Sequence, residues 1–265
     1  METEERKRQE EIMKNEVTAF TLKMIAILTM VTDHVGAVVL GRIVNGQTSG
    51  GMEIFLSLGQ AQRQILEHIY IVTRCIGRLS FPIFCYLLVE GFFYTSNRKK
   101  HALRLLIFAL LSEIPFDLAV NGKLLELRQH NNVMFTLFLG FLGIWLLEFW
   151  KERQMPALLQ LGCNAVTVGG VYLVAEGIRC DYGGAGILAI LGIYVLRGKH
   201  PYVGFVLAIA ILAVLCSPVE LVALLGFMVL LSYRGKQGRK LKYICYGVYP
   251  VHLLALAGVC AEMGI

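Results

Sequence analysis

Apolar residues fall in long runs along this chain, and polar residues gather in short clusters between them. A bilayer core takes a helix of roughly 20 apolar residues. That ruler lays out nine segments: 22–44, 72–94, 103–120, 133–150, 158–176, 184–196, 202–216, 219–233 and 243–261. Gly198-Lys199-His200-Pro201 and Cys216-Ser217-Pro218 cut the stretch after 184 into short pieces. The count is therefore about nine, with eight or ten open there. The pattern predicts an all-α, polytopic transmembrane helix bundle. The connection 45–71 turns apolar again after its glycines, which predicts a short interfacial helix.

Composition fits this reading. Charged residues make up 17% of the chain, against roughly 25% in a soluble protein, and no polar stretch is long enough for a soluble domain. Residues 1–21 read as a cytoplasmic tail and 22–265 as one membrane domain. The opening residues are polar and mixed in charge, unlike a secretory signal. The seven cysteines form no CxxC pair and read as small buried hydrophobes. No metal site is expected.

The net charge of +6 is explained by topology rather than by nucleic-acid binding. Lys and Arg concentrate in cytoplasmic loops. With the N-terminus inside, that side collects Arg6, Lys7, Arg8, Lys14, Arg98, Lys99, Lys100, Arg104, Lys151, Arg153, Arg197, Lys199, Arg234, Lys236, Arg239, Lys240 and Lys242. The opposite side holds Arg42, Arg63, Arg74, Arg78, Lys123, Arg128 and Arg179. Nine spans then leave the C-terminus outside.

Against this background Asp33-His34 stands out, in the middle of the first apolar run. Ionisable groups at that depth are costly, and they mark functional sites or pathways. Asp33 and His34 are thus the first catalytic candidates. Lys23 lies eleven positions before His34, close to three helical turns, so the two share a face about 16 Å apart along the axis. A cation at the inner mouth with an imidazole deeper suits a long anionic donor from the cytosol. Adjacent residues point about 100° apart on a helix. Asp33 is therefore expected to pair with a cation on another helix, with Arg78 in reach, and to organise the site around His34.

Further polar groups interrupt later spans. Pro82 is expected to break the second one in mid-membrane. Glu113 and Asp117 flank Pro115, and Asn132 opens the fourth span. These three are candidates for an outer vestibule that receives an acceptor. His252 is a second deep histidine. Asp181-Tyr182 reads as a structural turn. His68, His101 and His200 read as solvated. Asp33, His34, Glu113 and His252 also allow a different function, the relay of a proton-coupled transporter.

Several of these residues lie in blocks that resemble the TraX family of membrane proteins. The blocks are Leu22–Gly36 with Asp33-His34, then Gly77-Arg78-Leu79-Ser80-Phe81-Pro82-Ile83-Phe84, and then Leu103-Arg104-Leu105. Glu113-Ile114-Pro115-Phe116-Asp117, Asn132-Val133-Met134-Phe135-Thr136-Leu137 and Tyr249-Pro250-Val251-His252-Leu253 follow in order. The family's founding member is implicated in N-acetylation of conjugative pilin. The family looks like a branch of the wider transmembrane acyltransferases of the bacterial cytoplasmic membrane, which draw on cytosolic acetyl-CoA. In that group an Arg stands eleven positions before a His on the first span, and here Lys23 takes its place. The resemblance implies acyl transfer with His34 as general base and Lys23 and Arg104 holding the donor. Arg78, Glu113, Asp117, Asn132 and His252 would support the site. The acceptor stays open among a protein N-terminus, a glycan and a lipid-linked amine or hydroxyl. Pilin itself has no signature in this chain.

Overall fold

The computed structural model describes residues 17–122, 130–198, 200–239 and 242–265, with only the backbone at 242–244. Arg6, Lys7, Arg8, Lys14, Lys123, Arg128, Lys199, Lys240 and the Lys242 side chain lie outside the described residues, as does most of the predicted tail.

A helix forms at each of the nine predicted segments. α1 spans Ala19–Val44. Thr18 caps its start, accepting from the Thr21 amide at 3.2 Å. The free amides of Ala19 and Phe20 donate to the carbonyls of Lys236 and Gln237, so the last inter-helix loop closes this end. Immediately after His34 the winding changes, and Val35–Leu40 is a π-helix.

The connection 45–71 is almost wholly helical. α2 covers Ser49–Ser57 and α3 covers Gln60–Gly77. α3 is strongly amphipathic, with Gln and Arg on one face, and is longer than the short interfacial helix expected there. The chain kinks at Arg78 and Leu79, and α4 runs Ser80–Tyr94. This corrects the reading of Pro82. It sits in the first turn of α4, where its missing N–H breaks no hydrogen bond, so it helps start a helix instead of interrupting one.

α5 spans Arg98–Phe116 and continues as a π-helix over Asp117–Asn121. α6 is Val133–Glu152, α7 Ala157–Gly177, α8 Gly183–Leu196 and α9 Pro201–Leu215. A 3₁₀ segment, Pro218–Ala223, leads into α10, Leu224–Leu231. α11 is Lys242–Met263. No strand occurs among the described residues.

The helices form a membrane bundle. Among the described residues, five stretches are long and apolar enough to cross a bilayer: Ala19–Val44, Gln60–Tyr94, Val133–Glu152, Ala157–Gly177 and Cys245–Met263. Gly183–Leu196, Pro201–Leu215 and Pro218–Leu231 are apolar but shorter. The core lies among α4, α5, α6, α8 and α9, where Phe92, Leu105, Phe141, Ile187, Ile190 and Phe205 are fully buried.

One end of the bundle is basic, as the loop charges required. There Arg197 pairs with Glu90 at 2.6 Å and lies over the Phe93 ring. Arg98 reaches Glu152 at 3.9 Å. His101 departs from its solvated reading. It is buried, with its ring 4.6 Å from that of Phe141, because one helical turn carries it from the lysine cluster onto α6. At the far end Arg42 is buried and donates to the carbonyls of Ala119 and Ile265, both at 2.8 Å. A guanidinium placed there satisfies carbonyls at two helix ends that have no partner within their own helix.

Candidate functional site

α1 is regular from Ala19 to His34, so Lys23 and His34 do share a face. That face looks at α11. Lys23 lies within charge range of the Cys245 thiol, and the His34 ring meets His252. Arg104 of α5 lies within charge range of Tyr246, whose ring stacks on Phe108 at 5.2 Å. Lys23 and Arg104 thus approach the same opening turns of α11, at the basic end, while the histidines sit midway along α1.

The histidine pair is the centre of the site. His252 Nε2 and His34 Nδ1 are 2.8 Å apart. His252 Nδ1 is 2.8 Å from the Val248 carbonyl. A carbonyl only accepts, so His252 carries its proton on Nδ1 and, when neutral, accepts at Nε2. His34 then donates from Nδ1, and its Nε2 keeps the lone pair. The hydrogen-bond pattern assigns these tautomers, as it does for metal-bound or catalytic imidazoles generally. Tyr249 packs edge-on against both rings, at 5.9 Å and 5.7 Å between centroids, and fixes their tilt.

Asp33 points away into a separate network. Arg74 Nη1 is 2.6 Å from its Oδ2, and Arg78 Nη2 is 3.4 Å from its Oδ1. The expected contact with Arg78 is present, and Arg74 is the closer partner. Arg78 Nη1 continues to Glu220 at 2.8 Å. Two guanidinium and two carboxylate groups therefore cancel in charge, which makes their burial tolerable. Close backbone approach makes room for them. A Cβ on Gly77 would collide with Asp33, and one on Gly36 would collide with Thr73.

The turn Cys180–Gly183 roofs this network. Tyr182 has a left-handed backbone, φ 61°, and its ring lies flat on Phe81 at 3.9 Å. Asp181 accepts from the Tyr182 amide at 3.1 Å, and its own amide donates to the Asn131 carbonyl at 2.8 Å. Burial pushes the Asp181 carboxyl up to about 6; Arg78 opposes the shift and Asp33 adds to it.

Glu113, Asp117 and Asn132 are buried but do not join the histidines. Asn132 caps α6, accepting from the Met134 amide at 3.0 Å, and donates to the Ala109 carbonyl at 2.9 Å and to Glu113. Asp117 accepts from Asn121 at 2.9 Å. Among the described residues, then, Asp33, His34, Glu113 and His252 are not linked into one relay. Asn132→Ala should lower stability by about 2 kcal/mol, from a lost cap and a carboxylate left short of a donor. Chemical denaturation in detergent checks this.

Glu220 is the residue the sequence reading missed. Its signal is weaker than that of Asp33, because it stands at the edge of the segment 219–233, beside the Cys216-Ser217-Pro218 break, where a carboxylate reads as solvated. Among the described residues no cluster of His, Cys, Asp or Glu is arranged to hold a metal ion. Two apolar grooves, one between α6 and α7 and one between α8 and α9, lie away from the histidines.

These features define a multi-pass helical membrane protein with a paired-histidine site beside a buried, balanced charge network. The chain belongs to the TraX family, whose description, TraX protein, matches residues 19–260. It is also similar to a probable fimbrial assembly protein FimC, serogroup H1, of Dichelobacter nodosus. The two are 28% identical over 262 residues, covering 90% of this chain and 94% of that protein. No solved structure matches the chain.

Proposed function

We propose that this protein is an acyltransferase of the bacterial cytoplasmic membrane, with its N-terminus in the cytosol. It moves an acetyl group from acetyl-CoA to an amine or hydroxyl acceptor at or across the membrane. The observation that carries this reading is the His34–His252 pair, set on the same α11-facing side as Lys23. The tautomer chain leaves His34 Nε2 free to take a proton. The resulting imidazolium stays hydrogen-bonded to His252 through Nδ1.

The basic end suits the donor. Arg104 keeps Nε buried and without a partner among the described residues, and Lys23 pairs with no carboxylate there. A phosphate group fits both. Lys binds it as a point charge, without the bidentate fork of Arg. Acetyl-CoA supplies the activated acyl group. His34 takes the acceptor's proton as its nitrogen or oxygen attacks the thioester carbonyl; the C–S bond then breaks, CoA leaves as the thiolate and recovers that proton from His34, and His252 holds the ring in the required tautomer. Asp33, gripped by Arg74 and Arg78, anchors the peptide that carries His34. A role in surface-fibre assembly, as in the FimC relative's name, is compatible with a protein acceptor on the far side.

The test is a thermal-shift titration with acetyl-CoA and with CoA. Both ligands should stabilise the wild type, since a ligand of the folded state raises stability by RT ln(1 + [L]/Kd). Lys23→Ala should need about tenfold more of either one, the equivalent of one charge-assisted contact. A wild-type melting temperature that neither ligand moves would sink the reading.

A further inference from the structure

Glu220 is almost fully buried, 1% exposed, in a 3₁₀ segment that holds no other charge. Its Oε1 takes Arg78 Nη1 at 2.8 Å, and its Oε2 has no partner among the described residues. Arg78 spends its remaining reach on two neighbours. Nε donates to the Arg74 carbonyl at 3.1 Å, and Nη2 reaches Asp33 at 3.4 Å. The guanidinium is therefore held on three sides, and among the described residues Glu220 is the carboxylate from outside α1 and α3 that forms an ion pair with it. Asp33 is in turn the peptide neighbour of His34, at the point where α1 changes from α to π winding.

We propose that Glu220 is a positioning residue for His34. It orients Arg78, Arg78 and Arg74 grip Asp33, and Asp33 sets the angle at which His34 presents Nδ1 to His252. The inference uses acyl transfer only for its activity readout and therefore rests partly on that reading. Its spectroscopic readout does not depend on it.

The experiment compares wild type, Glu220→Gln and Glu220→Asp in nanodiscs, with isotope-labelled histidine. His34→Gln and His252→Gln proteins assign the two imidazole signals. Wild type should show His34 protonated at Nδ1 and coupled through that hydrogen bond to His252 Nε2. Glu220→Gln should lose the coupling and lower acetyl transfer about tenfold or more, the scale of a small misplacement of a reacting group. Glu220→Asp, which keeps the charge, should recover most of both. An intact His34–His252 coupling in Glu220→Gln overturns the proposal, whatever happens to its melting temperature, because Glu220 then serves the fold alone. Equal loss in the Gln and Asp variants overturns it too, because charge is then not the link. If wild type transfers no acetyl group but Glu220→Gln still loses the coupling, the acyl-transfer reading fails and the positioning role stands.

Discussion

His34→Ala should lower acetyl transfer by about 10²–10⁴-fold, the usual worth of a general base, while the protein melts within a few degrees of wild type. The small stability change follows from what the ring does in the fold. It makes one neutral hydrogen bond to His252, worth about 1 kcal/mol net, and edge contacts with Tyr249. No ion pair depends on it. The large activity change follows from Nε2, which the hydrogen-bond chain from the Val248 carbonyl through His252 leaves as the unprotonated nitrogen. His252 variants refine the result. His252→Gln offers an oxygen that still accepts from His34 Nδ1, so it should retain more activity than His252→Leu. Transfer from acetyl-CoA to a simple amine or alcohol, followed beside a melting curve, reads both quantities. Full activity in His34→Ala removes the histidine from the chemistry.

Asp33→Ala should act the other way round, with stability as its first casualty. The residue neutralises half of a buried pair of guanidinium groups, and removing one member of such a network costs about 3 kcal/mol or more. Arg74 remains 31% exposed, so water recovers part of that loss, whereas Arg78 and Glu220 are more deeply enclosed. Charge balance is the physical content of the prediction. The double variant Asp33→Ala, Arg74→Met restores neutrality and should be more stable than the sum of the two single changes, as coupled neighbours are. Denaturant titration of the four proteins closes the cycle. Strict additivity would mean that the network is a set of independent surface contacts.

The parts legible in the sequence were those where one residue breaks a strong local rule. Asp33 and His34 sit in an apolar run, so their solvation cost marks them without any structure. The eleven-residue spacing to Lys23 converts directly to one helix face, because nothing between them interrupts the α winding. Asn132 opens a span and caps it. Where sequence and fold differ, two rules compete. Pro82 reads as a breaker because the apolar run begins at Val72. In the fold the chain has already kinked at Arg78–Leu79, and Pro82 falls where a proline is harmless. His101 looked solvated beside Arg98, Lys99 and Lys100, but three residues along a helix is nearly a full turn, and that turn leads into the core. α3 was hidden by its own amphipathicity, since Gln60–Gly77 carries too many polar residues to resemble a span. The meeting of Glu220 with Arg78, across 142 positions of sequence, follows from tertiary packing and from no local pattern.

The π-helical stretch Val35–Leu40 has a consequence for how such a chain can vary. Each π turn holds about one residue more than an α turn. Six residues at π pitch turn through about the same angle as five at α pitch, so the surplus residue is absorbed without changing the phase of the helix beyond it. Losing a single residue there would rewind the stretch as ordinary helix and still leave Arg42 facing the Ala119 and Ile265 carbonyls. A single deletion between Lys23 and His34, where the winding is already α, has no such slack and would swing Lys23 off the face of His34 by about 100°. Changes of length in this helix are therefore silent after His34 and filtered before it.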